Sequence, residues 1–474
     1  MACGFEILGV GNRNVVRYYL ESLGCPKNLV DAHGMARLLK LLGHEPVADP
    51  QQAQALLVNT CGFVEDARQE SLAELRELAD MKRRDQLLIA TGCLSQRWGE
   101  ALLDRVPGVD ALLGTRRWSE IGRLLENLAQ GGGRRPTARR ALLGDPDPAA
   151  LETGSRTARQ GATAYLKIAE GCSAPCAFCA IPLIKGPAVS RPANEVIRDA
   201  VALVEEGVKE IILIAQDTTA YGRDRGERDG LPDLLEGILQ AIPKGQQERL
   251  PWLRLMYAYP GHVSPRLIEV MAGDPRVCHY LDLPLQHAHP DTLRRMKRPA
   301  NVDRVRGLVD DLRSAMPDIA LRTSLIVGYP GETEEEFQTL LDFVADMRFD
   351  RMGTFVYSAE EGTAAATLPG AVPEEVKEER YQRLMALQQE ISWEINGAQV
   401  GRFLDVLVEG HGDGLSVGRS YRDAPEVDGM VLLPGDLSVG CVVPVHVTGA
   451  LEYDLIGEVE GEVVKAGCEK PGTD

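Results

Sequence analysis

The chain has 474 residues, 44% of them hydrophobic and 26% charged. That excludes a wholly disordered polymer and a small disulfide-stapled scaffold, and at ~100–200 residues per domain it predicts two to four domains. Acidic residues outnumber basic ones by 70 to 52, a net charge of −18, which suits the phosphate backbone of nucleic acid poorly. No run approaches the ~18 apolar residues of a membrane span, and the first residues lack a basic-then-apolar leader. The expectation is a cytoplasmic protein, away from membranes, whose 10 cysteines are thiols or metal ligands.

To about Gln130, apolar runs alternate with helical patterns: VVRYYLESLG, ALLVNTCG and QLLIATGC each precede a helix. This is the βα alternation of a parallel sheet. Residues 131–160, rich in Gly, Pro and Arg, have no apolar period and read as an exposed linker. Its Arg cluster is either solvated or set against an acidic partner. Residues 161–396 hold six strand-like runs: AYLKIAEG, EIILIAQD, LRLMYAY, YLDLPLQH, LRTSLIVGY and RMGTFVYS. With helices between them, they predict an open, partial (β/α)6 barrel. A charged helix from about Pro373 is expected to leave that barrel. Residues 397–467 read as five short strands with turns, a small antiparallel OB-like β-barrel, followed by a tail over 468–474. From Gly397 to Asp474 there are 14 acidic and 5 basic residues, net −9, half the charge of the whole chain. The fold class is α/β with a small terminal barrel.

Cys172, Cys176 and Cys179 stand in GCSAPCAFC, directly after the first barrel strand. Three thiolates on one short loop can bind three irons of a cubane cluster and leave the fourth open. A structural zinc site wants a closed set of four ligands, and the nearest Cys or His downstream is His262. Thiolate ligation is the normal mode for iron–sulfur proteins, and the loop falls at the barrel end where active sites are built. Phe178 would lie beside such a cluster and near an adenine bound there. A second set, Cys25, Cys61 and Cys93, is spaced 36 and 32 residues apart. Each ends an apolar strand and precedes a helix. In a parallel sheet those strand ends share one edge, with helix N-termini of partial positive charge pointing at it. A second metal site is one reading; buried cysteines filling tight turns is the other. Cys3, Cys278, Cys441 and Cys468 lack such a pattern and read as packing or surface residues.

At the C-x3-C-x2-C loop the chain resembles the radical S-adenosylmethionine (SAM) superfamily. The resemblance implies that the open iron chelates SAM and that an electron from the cluster cleaves the sulfonium. Methionine and a 5′-deoxyadenosyl radical result, and the radical abstracts a substrate hydrogen. Two Cys triads with this order of domains resemble the methylthiotransferase family from about Val16 onward, leaving residues 1–15 as an extension outside it and 16–130 as its N-terminal domain. Membership implies two 4Fe–4S clusters, SAM, and a protein that supplies electrons. Cys172, Cys176 and Cys179 match the radical-SAM cluster; Cys25, Cys61 and Cys93 match an auxiliary cluster that delivers sulfur. The terminal domain resembles TRAM. One branch of the family modifies adenosine in tRNA. The RimO-type branch modifies the β-carbon of an aspartate in small-subunit ribosomal protein S twelve. SLGCPKNLVD, YLDLPLQHAHPDTLRRMKRP, ALRTSLIVGYPGETEEEF, LMALQQEIS and GRSYRDAPEVDG resemble the second branch. An RNA-binding TRAM domain should be basic, whereas net −9 suits a basic ribosomal protein docked on it, with no stable nucleic-acid binding. Solubility is the plainer account of that charge. The alternatives are a tRNA adenosine methylthiotransferase and a non-catalytic metal-binding adaptor.

Other positions follow from strand ends and the resemblance. Gln216, Asp217 and Thr218 end the second barrel strand and match the region that meets the amino-acid part of SAM; a capped turn also fits. Gln286 and His287 end the fourth strand, and the match puts them in the active cavity near substrate. Arg322, Ser324 and Ile326 share one face of the fifth strand. With Gly328, Gly331 and Glu332 they match the surroundings of the ribose and adenine, although a tight loop with Glu near a helix N-terminus fits Glu332 as well. Lys185 stands where the family often has Arg, in IP-x-x-RG. Lys keeps the charge without the planar fork, which weakens the hold on any carboxylate there.

Overall fold

The computed structural model describes residues 15–129, 140–145, 155–242, 250 and 252–460. They form two compact units, one ending at Ser155 and the other starting at Arg156. No described helix is long and apolar enough to cross a membrane.

In the first unit, β1 (Arg17–Ser22), β2 (Glu45–Pro46), β3 (Ala55–Thr60), β4 (Leu87–Gly92), β5 (Ala111–Gly114) and β6 (Arg140–Leu142) form one sheet in the order β2-β1-β3-β4-β5-β6. Every pairing is parallel. Parallel strands are covered on both faces, and β3, ALLVNT, is buried at all its positions. Its side chains alternate between two cores: Leu57 joins Tyr18, Met35 and Trp118, while Leu56 and Val58 join Leu72, Leu75 and Leu94. The helices Pro26–Leu41 and Glu65–Met81 cover the two faces.

The linker expected over 131–160 differs from the structure at both ends. Residues 140–142 add to the sheet edge as β6, with Ala141 and Leu142 packed against opposite cores. An edge strand needs only a few apolar residues and one partner, so it leaves no period to detect.

In the second unit, β7 (Thr157–Gln160) pairs antiparallel with β8 (Thr163–Lys167), again inside the expected linker. A short ribbon joins β9 (Ala169–Glu170) to β10 (Val189–Ser190). Then come β11 (Glu210–Ile214), β12 (Trp252–Leu255), β13 (Val277–Asp282), β14 (Ala320–Val327) and β15 (Arg351–Val356). The sheet order is β15-β14-β13-β12-β11-β8-β7. Its parallel part is the six-fold partial barrel the sequence predicts. The helix Glu374–Gly397 does not leave the barrel as expected. It packs along β15, burying Arg380, Leu384, Gln388, Ile391 and Asn396, a helical spacing of three to five residues. Next, β16 (Phe403–Gly412), β17 (Leu415–Arg419), β18 (Val431–Pro434), β19 (Val442–Ala450) and β20 (Leu455–Val459) close into the expected five-stranded barrel, antiparallel except where β18 pairs in parallel with β20. Cys441, just before β19, is disulfide-bonded, where thiols or metal ligands, and at this position a packing or surface residue, were expected.

The segment between β17 and β18 folds against the N-terminal ends of the partial-barrel strands through buried charges. Glu210 accepts from Arg254 Nε at 2.6 Å and from Arg419 Nη2 at 2.6 Å. Arg254 also donates to Tyr421 O at 2.7 Å. Arg351 holds Asp423 at 2.7 Å, Arg422 holds Asp350, and Tyr280 donates to Asp428 at 2.7 Å. Burial by itself raises the pKa of Glu210, but the two guanidiniums overcome it and hold the carboxyl down to about 2. An unfolded Glu titrates near ~4.3. The stabilisation from Glu210 is therefore complete above that pH and is lost as pH falls toward the folded value. Glu210→Gln leaves two buried cations short of a carboxylate and is expected to cost about 3–5 kcal/mol. The thermal stability of the native chain should fall between pH ~4.5 and ~2, and the variant should lose less over that window. Parallel pH profiles for the two would refute the assignment.

Candidate functional site

The C-terminal ends of the partial-barrel strands carry the first cysteine set. The β9–β10 ribbon brackets the loop between Glu170 and Val189. Gly171 turns into it at φ +74°, where an added Cβ would lie 2.1 Å from Pro187 O, so only glycine fits. Cys172 N donates to Gly186 O at 3.0 Å. At the centre, Ala177 N donates to Met296 O at 2.9 Å and Ala177 O accepts from Ala365 N at 2.8 Å. Ala177, Met296, Tyr329, Tyr357 and Ala365 form a small apolar cluster, with Phe178 packed on it.

Each sulfur of this loop meets an N–H donor. Ala174 N approaches Cys172 Sγ at 3.4 Å, Ile181 N approaches Cys179 Sγ at 3.4 Å, and Arg298 Nη1 approaches Cys176 Sγ at 3.7 Å. Burial raises the Cys172 thiol and pushes Cys179 up to about 12, so a bound metal has to displace the protons. A structural zinc site wants a closed set of four ligands, and this loop supplies three cysteines. Three spaced thiols, each offered a hydrogen-bond donor, fit a thiolate-held cluster.

Around the loop, the sequence-predicted residues divide. Gln216 is half-buried, and its buried Oε1 has no hydrogen-bond partner, a free acceptor beside the strand end. Asp217 caps the turn Thr218–Ala220, accepting from Thr219 Oγ1 at 2.7 Å and Ala220 N at 3.1 Å, and its other oxygen pairs with His262 Nδ1 at 2.8 Å. Thr218 N donates to Tyr257 O at 3.0 Å. Gln286 bridges Ser324 O and Ile326 N, both at 2.8 Å, in a left-handed conformation with φ +77°. Arg322, Ser324 and Ile326 share one face of β14, while Leu321, Leu325 and Val327 join the core on the other.

Four expectations change. His287 is tied to its own chain: its side chain is 0% exposed to solvent, Nδ1 accepts from His289 N, and Nε2 lies 3.5 Å from Glu332. Glu332 is equally buried. It accepts from Gly328 N at 3.1 Å and Arg380 Nη1 at 2.8 Å, bracing the loop rather than facing a ligand. Lys185 is buried and holds Glu170 Oε1 at 2.8 Å, with Lys167 on the other oxygen at 2.6 Å. The carboxylate it grips belongs to this chain, and a point charge suffices for it. Arg322 is bound by Asp282 at 2.9 Å and Asp428 at 3.3 Å, which ties its guanidinium to the buried charge network.

In the other unit, Cys25, Cys61 and Cys93 follow β1, β3 and β4, which are neighbours in the sheet. Gly24, at φ +86°, lies so close that an added Cβ would be 2.7 Å from Cys61 Cβ and 2.9 Å from its sulfur. Asn28 locks the cluster of turns. Its Nδ2 donates to Leu23 O and Thr60 O, both at 3.0 Å, its Oδ1 lies 3.4 Å from Cys93 Sγ, and its main-chain oxygen accepts from Asn59 at 2.7 Å. The three thiols therefore share one sheet edge. Sequence reasoning missed Asn28, Arg298 and Tyr259, the pairing of His262 with Asp217, and also Tyr257, which is left-handed at φ +63°. Nothing in spacing or period links them to the cysteines.

A partial barrel with three cysteines on its first loop defines a radical-SAM enzyme, and residues 166–344 match the Radical SAM superfamily. SAM and 4Fe–4S clusters are the cofactors of that class. Residues 17–114 match Uncharacterized protein family UPF0004 and residues 400–459 match the TRAM domain. The ribosomal protein uS12 methylthiotransferase RimO of Roseiflexus sp. (strain RS-1) is 48% identical over 94% of this chain and 97% of its own length. The protein of that name from Chloroflexus aurantiacus is 48% identical over 94% and 99%, and that from Geobacter sulfurreducens 45% over 93% and 98%. This chain belongs to the RimO methylthiotransferase family. In fold it is similar to the radical SAM methyltransferase TsrM from Kitasatospora setae, with TM-score 0.56 at 15% identity, covering 87% of this chain and 80% of that one.

Gly24→Ala forces a Cβ against Cys61 in a left-handed backbone and is expected to destabilise the first unit by about 1–3 kcal/mol. Hydrogen exchange of β1, β3 and β4 should speed up accordingly. Native protection would show that the turns relax freely.

Proposed function

We propose that this chain transfers a methylthio group to the β-carbon of an aspartate in ribosomal protein uS12, using SAM and two 4Fe–4S clusters. The observation that carries the reading is the gathering of two separate cysteine triads, each at the C-terminal edge of its own parallel sheet, in a chain 48% identical to proteins of that name. Cys172, Cys176 and Cys179 would hold one cluster, with an iron open to SAM, and Cys25, Cys61 and Cys93 the other. When bound, these groups supply the electron that opens the SAM sulfonium and the sulfur that is inserted.

The chain's own residues bind and orient. The unpartnered Oε1 of Gln216 suits the amino group of SAM. Asp217 and Thr218 fix the turn that presents it. Phe178, Ser324, Ile326 and Gly328 suit the adenine and ribose, while Gln286, left-handed at φ +77°, would face the substrate. His287, Glu332 and Lys185 keep the surrounding loops in place.

The terminal barrel suits a basic protein. Arg419 and Arg422 are buried, so Arg402 is the exposed basic residue among its described positions. Asp405, Asp413, Asp436, Glu452, Glu458 and Glu460 are exposed. Strand register sets Phe403 beside His446 and His446 beside Glu458 on the outer face. Such a surface attracts a basic ribosomal protein and repels phosphates.

Given reductant, SAM and sulfide, the reconstituted enzyme should add the methylthio increment to an aspartate of uS12 and not to tRNA adenosine, as read by mass spectrometry. Increment on tRNA alone would overturn the substrate assignment. Cys172→Ala, Cys176→Ala or Cys179→Ala should abolish deoxyadenosine formation. Cys25→Ala, Cys61→Ala or Cys93→Ala should spare it and stop insertion.

Docking needs its own test. Deleting the barrel would strip Glu210 and Arg254 of their partners, so charge reversal is the cleaner probe. Asp405→Lys with Glu458→Lys should raise KM for uS12 several-fold at low salt and less at high salt, with kcat unchanged. An unaltered KM would remove the docking role.

A further inference from the structure

We propose that Arg298 is a positioning residue that sets the reduction potential of the cluster held by Cys172, Cys176 and Cys179. The proposal rests on that reading of the triad. Two of its three sulfurs take their donor from the main chain, Ala174 N and Ile181 N. Cys176 takes its donor from the guanidinium of Arg298, at 3.7 Å. Among the described residues, this is the cation in contact with a sulfur of the loop.

The guanidinium is fixed in place from several sides. It lies over the Tyr259 ring, 4.1 Å from the centroid, and its Nη2 donates to Pro284 O. Tyr259 in turn packs against His262, centroids 4.8 Å apart, and His262 is paired with Asp217. The main chain is equally constrained. After the helix Pro290–Arg295, Lys297 turns left-handed at φ +53° and Arg298 N donates to Leu293 O at 2.8 Å. The same turn offers Met296 O to Ala177 N, the residue after Cys176. One turn therefore clamps the cysteine loop and delivers a charge to its sulfur. Arg298 Nε is buried without a partner, so the head group keeps a donor in reserve on the same side chain.

Hydrogen bonds to sulfur, net charge and exposure set iron–sulfur potentials. Reduction adds one negative charge, which a neighbouring cation and donor stabilise, so the potential rises. Only a planar guanidinium can stack on Tyr259 while donating at its edge. The neighbouring lysines Lys167 and Lys185 both face Glu170, and Asp217 faces His262.

The test is EPR-monitored redox titration of the reconstituted full-length enzyme. It follows the reduced-cluster signal that changes when SAM is added, with iron counted in each preparation. Arg298→Gln should lower the midpoint so that reduction is at least tenfold less favourable, which is 59 mV for one electron, with iron content unchanged. Arg298→Lys should recover part of the shift. Tyr259→Leu, which keeps the cation and removes its platform, should move the midpoint the same way by less. A native midpoint in Arg298→Gln with full iron overturns the proposal. If Arg298→Gln loses iron, the Lys and Tyr259 variants decide, and native midpoints in both overturn it. A native enzyme with no SAM-responsive signal would instead defeat the reading of the triad itself.

Discussion

A parallel sheet delivers the C-terminal end of every strand to the same edge. Both halves of this chain depend on that constraint. In the first unit it gathers three cysteines that are far apart in sequence, one from each of three neighbouring strands. In the second it sets a single cysteine-bearing loop beside Gln216, the Asp217 turn, Gln286 and the end of β14. The chemistry-bearing side chains could not meet in an antiparallel meander, where successive strand ends alternate between edges.

The opposite ends of the partial-barrel strands solve another problem. They are stopped by the β17–β18 segment, and the stop is ionic. Glu210, shared by Arg254 and Arg419, is the centre, with Arg351–Asp423 and Arg422–Asp350 on the flank. Buried pairs of this kind add little net stability but are costly to break singly, so they fix where the small barrel sits. They also draw two of its three described arginines inward, and that leaves the outside acidic. Charge inside and charge outside are two sides of one arrangement.

Much of this was legible in the sequence. The six central strands, the five terminal ones and both cysteine sets announce themselves through apolar runs, turn residues and spacing. Features that need a partner do not. β6 and β7 hold too few apolar residues to show a period and exist because a sheet edge lies beside them. The helix Glu374–Gly397 looks solvated until β15 covers one stripe of it. His287 and Lys185 carry chemistry in the abstract, but the fold gives each a buried carboxylate from its own chain, Glu332 and Glu170. Strand ends told where side chains emerge, not what they meet. Arg298 reaches Cys176 across 122 residues, a distance over which no local pattern reports.

The β17–β18 segment also bears on modularity. A small barrel at the end of a chain invites exchange between relatives with different substrates, as if it were a detachable reader. Here the small barrel is keyed into the larger one: Arg419, Tyr421, Arg422, Asp423 and Asp428 all find their partners in or beside the strands beneath. A graft that carries only the outer strands keeps the lock intact. One that carries the whole barrel must bring a matching Glu210, Arg254, Arg351 and Asp350 with it. The outward face of the small barrel is therefore free to vary alone, while its inward face and the partial barrel are inherited as one piece.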